Sequence, residues 1–459
     1  GEAGAGIGTM AMEAAAMAGD RPSKYAAAKS NWCIPTAVCR AQSEFTQTGV
    51  KNNCLKGVKW SPDGSCLLTA SEDQQLRLFN LPYEIAAAAA DDPDNSGGAE
   101  CEAPFSDLRS ALSVKEGDSV YDYCWYPLMS SADPLTCCFL SSSKDHPIHM
   151  WDAYDGSLRA SYIPRNHLDE LTAAYALAFD PTGSRIYCGF ERAVRVFDVT
   201  RPGCVCTTRP TCPTRRSRNG QRGVISCLDF APDYSGLFAA GSFGGTTGLY
   251  VENDPKMITQ LEGHTGGVTQ VRFSHDGLYL FTAARCDDDI VLWDVRSTCR
   301  ELGRFSRRSR GNQRIGFDLS ADSRGLVSAS QDGRVLAFDC TDPSQSPVVW
   351  LSFGEATNAA VMHPALPLLA VAVGERHFEL PTEATGEDGT ALQELDACAA
   401  EQNGFSIWQL PLATGDEPVV SSTTLDTPAT GDVGSSETTI QPTKCVDNGC
   451  FDEATLATG

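Results

Sequence analysis

The sequence predicts an all-β fold: one ring of seven small antiparallel sheets, a β-propeller, with acidic loop insertions and a disordered C-terminal tail. Three observations carry the prediction. A unit of roughly 40 to 50 residues recurs along the chain, a period that marks stacked or radial repeats. Each unit has the same grammar: an alternating apolar strand, a turn of the x-Pro-Asp-Gly type, a strand ending in small residues, and a strand ending in an aromatic followed by a polar residue. The composition, 42% hydrophobic and 21% charged, supplies the apolar mass of a large core.

The first copy is GVKWSPDGSCLLTASEDQQLRLFN at 57–80, and the clearest is GHTGGVTQVRFSHDGLYLFTAARCDDDIVLWD at 263–294. More degenerate copies occupy 119–152, 171–198, 223–250 and 312–339. A seventh begins NAAVMHPALPLLAVAVG at 358 and resumes at FSIWQL near Trp408. A terminal Trp-Asp-like pair at this period is the signature of WD-repeat blades. Blades expose sheet edges and apolar faces that only neighbouring blades cover, so the ends of the ring must be joined. The segment 32–50, upstream of the first full repeat, is the candidate outer strand of the last blade.

The chain therefore divides into a disordered N-terminal segment (1–31), a propeller (32–410) with insertions near 84–117 and 375–404, and a disordered acidic tail (411–459). The tail is rich in Thr, Ser, Gly and acids and poor in aromatics, so it cannot offset its ordering entropy. The formal charge is −23, but 375–459 contributes −14 and 84–107 contributes −7. The body is close to neutral, so global acidity does not exclude a basic face or a nucleic-acid partner. Both insertions read as surface loops that point away from such a face. No apolar run is long enough to cross a membrane, and the Ala/Gly-rich start lacks the layout of a secretory signal. The 19 cysteines are irregularly spaced and fall within predicted strands, which fits a reducing compartment rather than a disulfide framework.

Candidate chemistry reduces to structure at most positions. His264 reads as one member of a buried network with Thr282, one of Asp287 to Asp289, and Trp293 of the Trp293-Asp294 pair, rather than as a general base. Cys204, Cys206 and Cys212 lack zinc-ligand spacing, and no metal or other cofactor is expected. His167, Asp169 and Glu170 have no nucleophile, metal or oxyanion site beside them and read as an ordered turn. No catalytic residue, and no small-molecule substrate, is expected.

Two arginine-rich segments stand apart: RRSRNGQR, with Arg215, Arg216, Arg218 and Arg222, and RRSRGNQR, with Arg307, Arg308, Arg310 and Arg314. Each lies in the connection from the outer strand of one blade to the inner strand of the next, before blades four and six. Both are thus expected to crown one face of the ring, where guanidinium groups pair with phosphate and stack on unpaired bases. The competing reading is a protein-only adaptor, such as a ubiquitin-ligase, DNA-repair or chromatin scaffold, with two solvated basic loops.

Three segments carry a more specific likeness: YDYCWYPLMSS at 121–131, HPIHMWDAYDGSLRASY at 146–162 and NHLDELTAAYALAFDPTG at 166–183. With GFERAVRVFD, GVISCLDFAP, NQRIGFDLS and HPALPLLAVA, the chain resembles the telomerase Cajal body protein family over roughly 57–383. That resemblance implies a noncatalytic RNA-binding scaffold. It implies recognition of the CAB box in H/ACA small Cajal-body RNAs and telomerase RNA, association with telomerase and dyskerin-containing ribonucleoprotein, and support of telomere maintenance. It further implies a nuclear, Cajal-body location with telomeres and cytoplasm as secondary sites, a role in DNA repair, and folding assisted by a chaperonin.

Overall fold

Each repeat folds as its alternation dictates, into a four-stranded antiparallel sheet whose strands run in order from the ring's centre outwards. The structure is a computed structural model and describes residues 34–46, 53–90, 106–214, 220–296, 300–375 and 403–411. Blade one runs Leu55–Trp60, Cys66–Ser71, Gln75–Asn80, Leu112–Lys115. Blades two to six follow with inner strands Val120–Trp125, Ala176–Phe179, Ile225–Phe230, Val268–Phe273 and Phe317–Leu319. Blade seven is built from both ends of the ring: Thr357–Met362, Leu368–Val373 and Gly404–Gln409 come from the C-terminal side, and Thr36–Ala41 is its fourth strand. The fold is a seven-bladed β-propeller.

Packing follows from the two-faced apolar strands. The buried side chains form seven clusters among the described residues, and each cluster lies between two neighbouring blades. Leu68, Leu78 and Val114 of blade one meet Val120, Trp125 and Phe139 of blade two, for example. The seventh interface closes the ring: Leu55, Trp60 and Phe79 of blade one pack with Ala370, Phe405 and Ile407 of blade seven and with Cys39 and Phe45.

Polar belts bind the inner strands together. Five of these strands carry a bulge near their first residues. In three blades the bulged side chain donates to the first carbonyl of the next inner strand: Asn358 to Leu55 at 2.6 Å, Lys56 to Val120 at 3.3 Å, and Ser226 to Val268. Blade two has Tyr121 at this position, and its ring instead stacks on Tyr175 of blade three, with centroids 5.1 Å apart. Elsewhere along these strands, carboxylates accept backbone N–H groups of the next blade: Asp122 from Leu177, Asp229 from Phe273 and Asp318 from Met362, at 2.7–3.0 Å.

The first acidic insertion does more than a surface loop would. It opens as a helix, Tyr83–Ala90, and its far end, Ser106–Asp107, runs parallel to Thr36–Ala41 as a fifth strand of blade seven before the chain returns to blade one. There Asp107 accepts the Gln42 N–H at 2.9 Å, and Leu108 N–H donates to Arg40 O at 2.7 Å. A connection that leaves blade one and returns to it thus clasps the strand that completes blade seven.

The closing interface also holds a neutral histidine. The turn after the first inner strand contains Gly64 at φ +75°, where an added Cβ would sit 2.3 Å from the His363 ring. His363 donates from Nε2 to Gly64 O at 3.0 Å and accepts at Nδ1 from the Ala365 and Leu366 N–H groups. Burial pushes its pKa down from the usual 6.5 to about 4, against a smaller opposing pull from the Gly64 carbonyl and Asp63. A second proton would occupy the nitrogen that accepts two N–H bonds. Because the folded pKa is depressed, the unfolded chain takes up the proton first as pH falls. Stability is therefore lost between pH 6.5 and about 4 at up to roughly 1.4 kcal/mol per pH unit from this one group. Thermal melts of wild type and His363→Gln across that window test this: the variant loses a measurable part of the acid slope, and equal slopes would exclude His363 as its source.

Candidate nucleic-acid interface

In an up-and-down blade the connections alternate ends. The second-to-third strand turn and the outer-to-next-inner connection emerge on one face, and the other two turns on the opposite face. Both arginine-rich segments are outer-to-inner connections, following Cys206–Pro210 and Arg300–Ser306. The same kind of connection supplies the Gly-His pair of blade five, which explains how a loop residue can be either buried or displayed.

In blade five, His264 bridges Asp287 (Nδ1 to Oδ2, 3.1 Å) and the Thr282 hydroxyl (Nε2, 2.8 Å), and Trp293 Nε1–H donates to that hydroxyl at 2.9 Å. Burial holds the His264 pKa below its usual value, and the Asp287 carboxylate counters it. Of the aspartates at 287–289, Asp287 is therefore the partner. Asp294 stands outside the network, where it accepts the Arg296 N–H and pairs with its guanidinium at 2.7 Å.

Other blades fill the His264 position with other polar groups. In blade two the Glu116 carboxylate accepts from Ser141, from Ser143 at 2.9 Å and from Trp151 Nε1 at 3.1 Å, and meets His149 at 3.1 Å. Gln221 does this in blade four, donating to Ala240 O at 2.6 Å and accepting from Tyr250 at 3.1 Å. In blade six the residue is Arg307, whose Nη1 donates to Ser328 at 3.0 Å and to Gly316 O at 3.3 Å.

This corrects the expected crown of eight exposed arginines. Arg307 is 4% exposed, and burial lowers its pKa to about 9. Arg314 also leaves the loop surface: it reaches over the inner strands to donate to Ser226 O of blade four at 2.8 Å and to approach Asp122 of blade two at 3.6 Å. Arg222, Arg308 and Arg310 are exposed, and Arg310 pairs with Asp288 at 3.2 Å. Arg215, Arg216 and Arg218 lie outside the described residues.

Single bases missed by a search for clusters join them. Lys144, Arg192 and Arg285 occupy second-to-third strand turns, and Arg285 lies 4.5 Å over the ring of Phe243. Only topology links them to the arginine loops, so strand order was the available signal. The face is mixed, since Glu191 pairs with Arg192 at 3.6 Å. The described stems of the second acidic insertion lie on this same face, while residues 376–402, expected to point away from it, lie outside the described residues. One stem includes Gly374, whose carbonyl accepts from Gln313 of the second arginine-rich loop at 3.0 Å.

The remaining candidates are structural. At 166–170, Asn166 Oδ1 accepts the N–H groups of Leu168 and Glu170, and Arg165 pairs with Asp169 at 3.0 Å. Cys212 is buried against Gln221 O, and Cys204 is exposed. Among the described residues no group of three or more His, Cys, Asp or Glu side chains is placed to hold a metal, and no cysteine forms a disulfide. No helix among them is long and apolar enough to cross a membrane.

A family model for the WD domain, G-beta repeat, matches residues 42–80, which hold the first three strands of blade one, and 255–294, which hold most of the outer strand of blade four and the first three strands of blade five. Telomerase Cajal body protein 1 of Mesocricetus auratus is 42% identical over 387 residues, 83% of this chain and 68% of that protein. The chain belongs to the telomerase Cajal body protein 1 family. The Homo sapiens member is 44% identical over 78% of this chain, and the Drosophila melanogaster homolog 35% over 77%. The chain spans about two thirds of the length of these relatives, 63–68%.

Thr282→Val tests the blade-five network. It strips the shared hydroxyl from both His264 and Trp293, and the expected cost is about 2–3 kcal/mol in denaturant unfolding. Asp294→Ala, which breaks only the contacts with Arg296 at the surface, is expected to cost at most about 1 kcal/mol. Equal losses would show that the hydroxyl does not hold the network.

Proposed function

We propose that this chain is a noncatalytic RNA-binding scaffold that carries H/ACA small Cajal-body RNAs, and telomerase RNA where it has an H/ACA domain, to Cajal bodies. Membership in a family named for telomerase and the Cajal body is the observation that carries this reading. The bound element is the CAB box in the terminal loop of these RNAs, and the partners are telomerase and dyskerin-containing ribonucleoprotein. On this reading the protein resides in the nucleus, chiefly in Cajal bodies, and supports telomere maintenance. A chaperonin assists a ring whose last sheet forms only when distant segments meet.

The RNA contacts belong to the face with Arg222, Arg308, Arg310, Arg285 and Lys144, together with Arg215, Arg216 and Arg218. Exposed guanidinium groups there supply phosphate forks, and the Arg285–Phe243 pair offers a planar surface suited to an unpaired base. Arg307 and Arg314 act instead by holding the loop in place. A set of cationic groups of this kind gives affinity that falls steeply with salt, because each neutralised phosphate releases counterions.

Crosslinking and sequencing of the RNAs bound in native cells tests the reading. Recovery of H/ACA small RNAs with reads concentrated on a terminal loop supports it, and recovery of nothing above background favours a protein-only adaptor. In vitro, Arg308→Ala with Arg310→Ala is expected to reduce the slope of log affinity against log salt by roughly 0.7 for each phosphate that is no longer neutralised. Unchanged affinity and slope would remove these two residues from the site.

A further inference from the structure

Blade two differs from the others at the end opposite the arginine loops. Its first-to-second strand connection spans 126–137, twelve residues between Val120–Trp125 and Cys138–Ser143. The same connection in the other blades has five or six, as between Val268–Phe273 and Tyr279–Ala284. The long connection leaves Leu128 and Leu135 exposed at 52% and 84%, and the neighbouring third-to-fourth strand turn, with the first residue of the strand it enters, leaves Tyr154 and Leu158 exposed at 74% and 50%.

These side chains sit on a rigid base. Arg159 donates to Leu135 O at 2.7 Å, to Pro134 O at 2.6 Å and to Asp152 at 2.8 Å. Ala153 N–H donates to Cys137 O at 3.0 Å, which ties the turn to the long connection. Ser131 N–H donates to Asp63 of blade one at 2.7 Å, and the Thr136 hydroxyl donates to Asp133 O at 2.8 Å. None of these polar bonds requires large apolar groups to stand in water. Isolated exposed apolar residues are ordinary, but four on two fastened connections of one blade mark an interaction site.

The charge around them selects the partner. Residues 126–137 and 153–158 carry two exposed acids, Asp133 and Asp155, and no base. The adjacent Arg159 is already committed to Asp152 and two carbonyls. We propose that this end of blade two docks a protein segment whose apolar side chains are flanked by Lys or Arg, on the face opposite the RNA. The apolar chains then meet Leu128, Leu135, Tyr154 and Leu158, and the bases meet Asp133 and Asp155. A second macromolecule is thus held while RNA occupies the arginine face, which is what a scaffold requires.

The test places p-benzoylphenylalanine at position 135 of the full chain in native cells, with irradiation and mass-spectrometric sequencing of the adducts. The expected adduct is a protein peptide with apolar residues beside Lys or Arg. Its yield should fall about tenfold with Leu158→Asp, as for removal of one central apolar anchor. Melting should be unchanged, because position 158 is exposed. The same probe at position 258, an exposed apolar site on the outer strand of blade four, serves as reference. Adduct yield no higher than at 258, adducts rich in acids, adducts to RNA, or insensitivity to Leu158→Asp and Leu128→Ser would each overturn the proposal. Apart from adducts to RNA, which would also count against the arginine face, none of these outcomes bears on RNA binding at the opposite face, so the two readings fail separately.

Discussion

A propeller blade has two apolar faces and two sheet edges, and only a closed ring covers the faces of every blade. All other features here depend on that closure. The chain meets it by completing blade seven with Thr36–Ala41, paired to Gly404–Gln409 from the far end of the ring. The seam is reinforced at three levels: an apolar cluster shared by blades one and seven, the Asn358-to-Leu55 bond at the inner strands, and the Asp107 clasp at the outer edge. Burial of apolar area gives the interface its strength, and the polar belts set its register, since each belt bond fits only one alignment of neighbouring strands.

The outer-to-inner connection then serves two ends at once. One of its residues plugs into the blade that follows, and the rest stay outside. His264, Glu116, Gln221 and Arg307 are chemically different solutions to one packing position, each satisfied by a hydroxyl or carbonyl of the second strand or by a polar group of the third. With that residue anchored, the exposed part of the loop is held at a fixed place on the face, as for Arg308 and Arg310 beside Arg307. A functional surface built this way costs little folding energy, because the anchor belongs to the core.

Much of the fold was legible in the sequence, because period, turn chemistry and strand alternation are local signals. Even the closing strand could be placed, since a ring lacking its last edge leaves few candidates. The blade-five network was legible for the same reason: His264, Thr282 and Trp293 stand at fixed offsets within one repeat. The site was less so. RRSRNGQR and RRSRGNQR look alike, yet burial of Arg307 and the long reach of Arg314 depend on which blade receives each loop, and composition does not encode that. Lys144, Arg192 and Arg285 are single residues in separate turns and come to share one face only through topology. The Asp107 clasp escaped notice because acidic, Ala-rich sequence reads as solvent-exposed whether or not its ends are paired.

The central claim is that the face made by the outer-to-inner loops and the second-to-third strand turns holds RNA. The most direct measurement is ultraviolet crosslinking of the full chain to a CAB-box stem-loop RNA, followed by sequencing of the crosslinked peptides. Adducts confined to peptides spanning 144, 215–222, 243, 285 and 308–310 are predicted. Adducts concentrated on the opposite face, at 126–137 or 153–158, would contradict it.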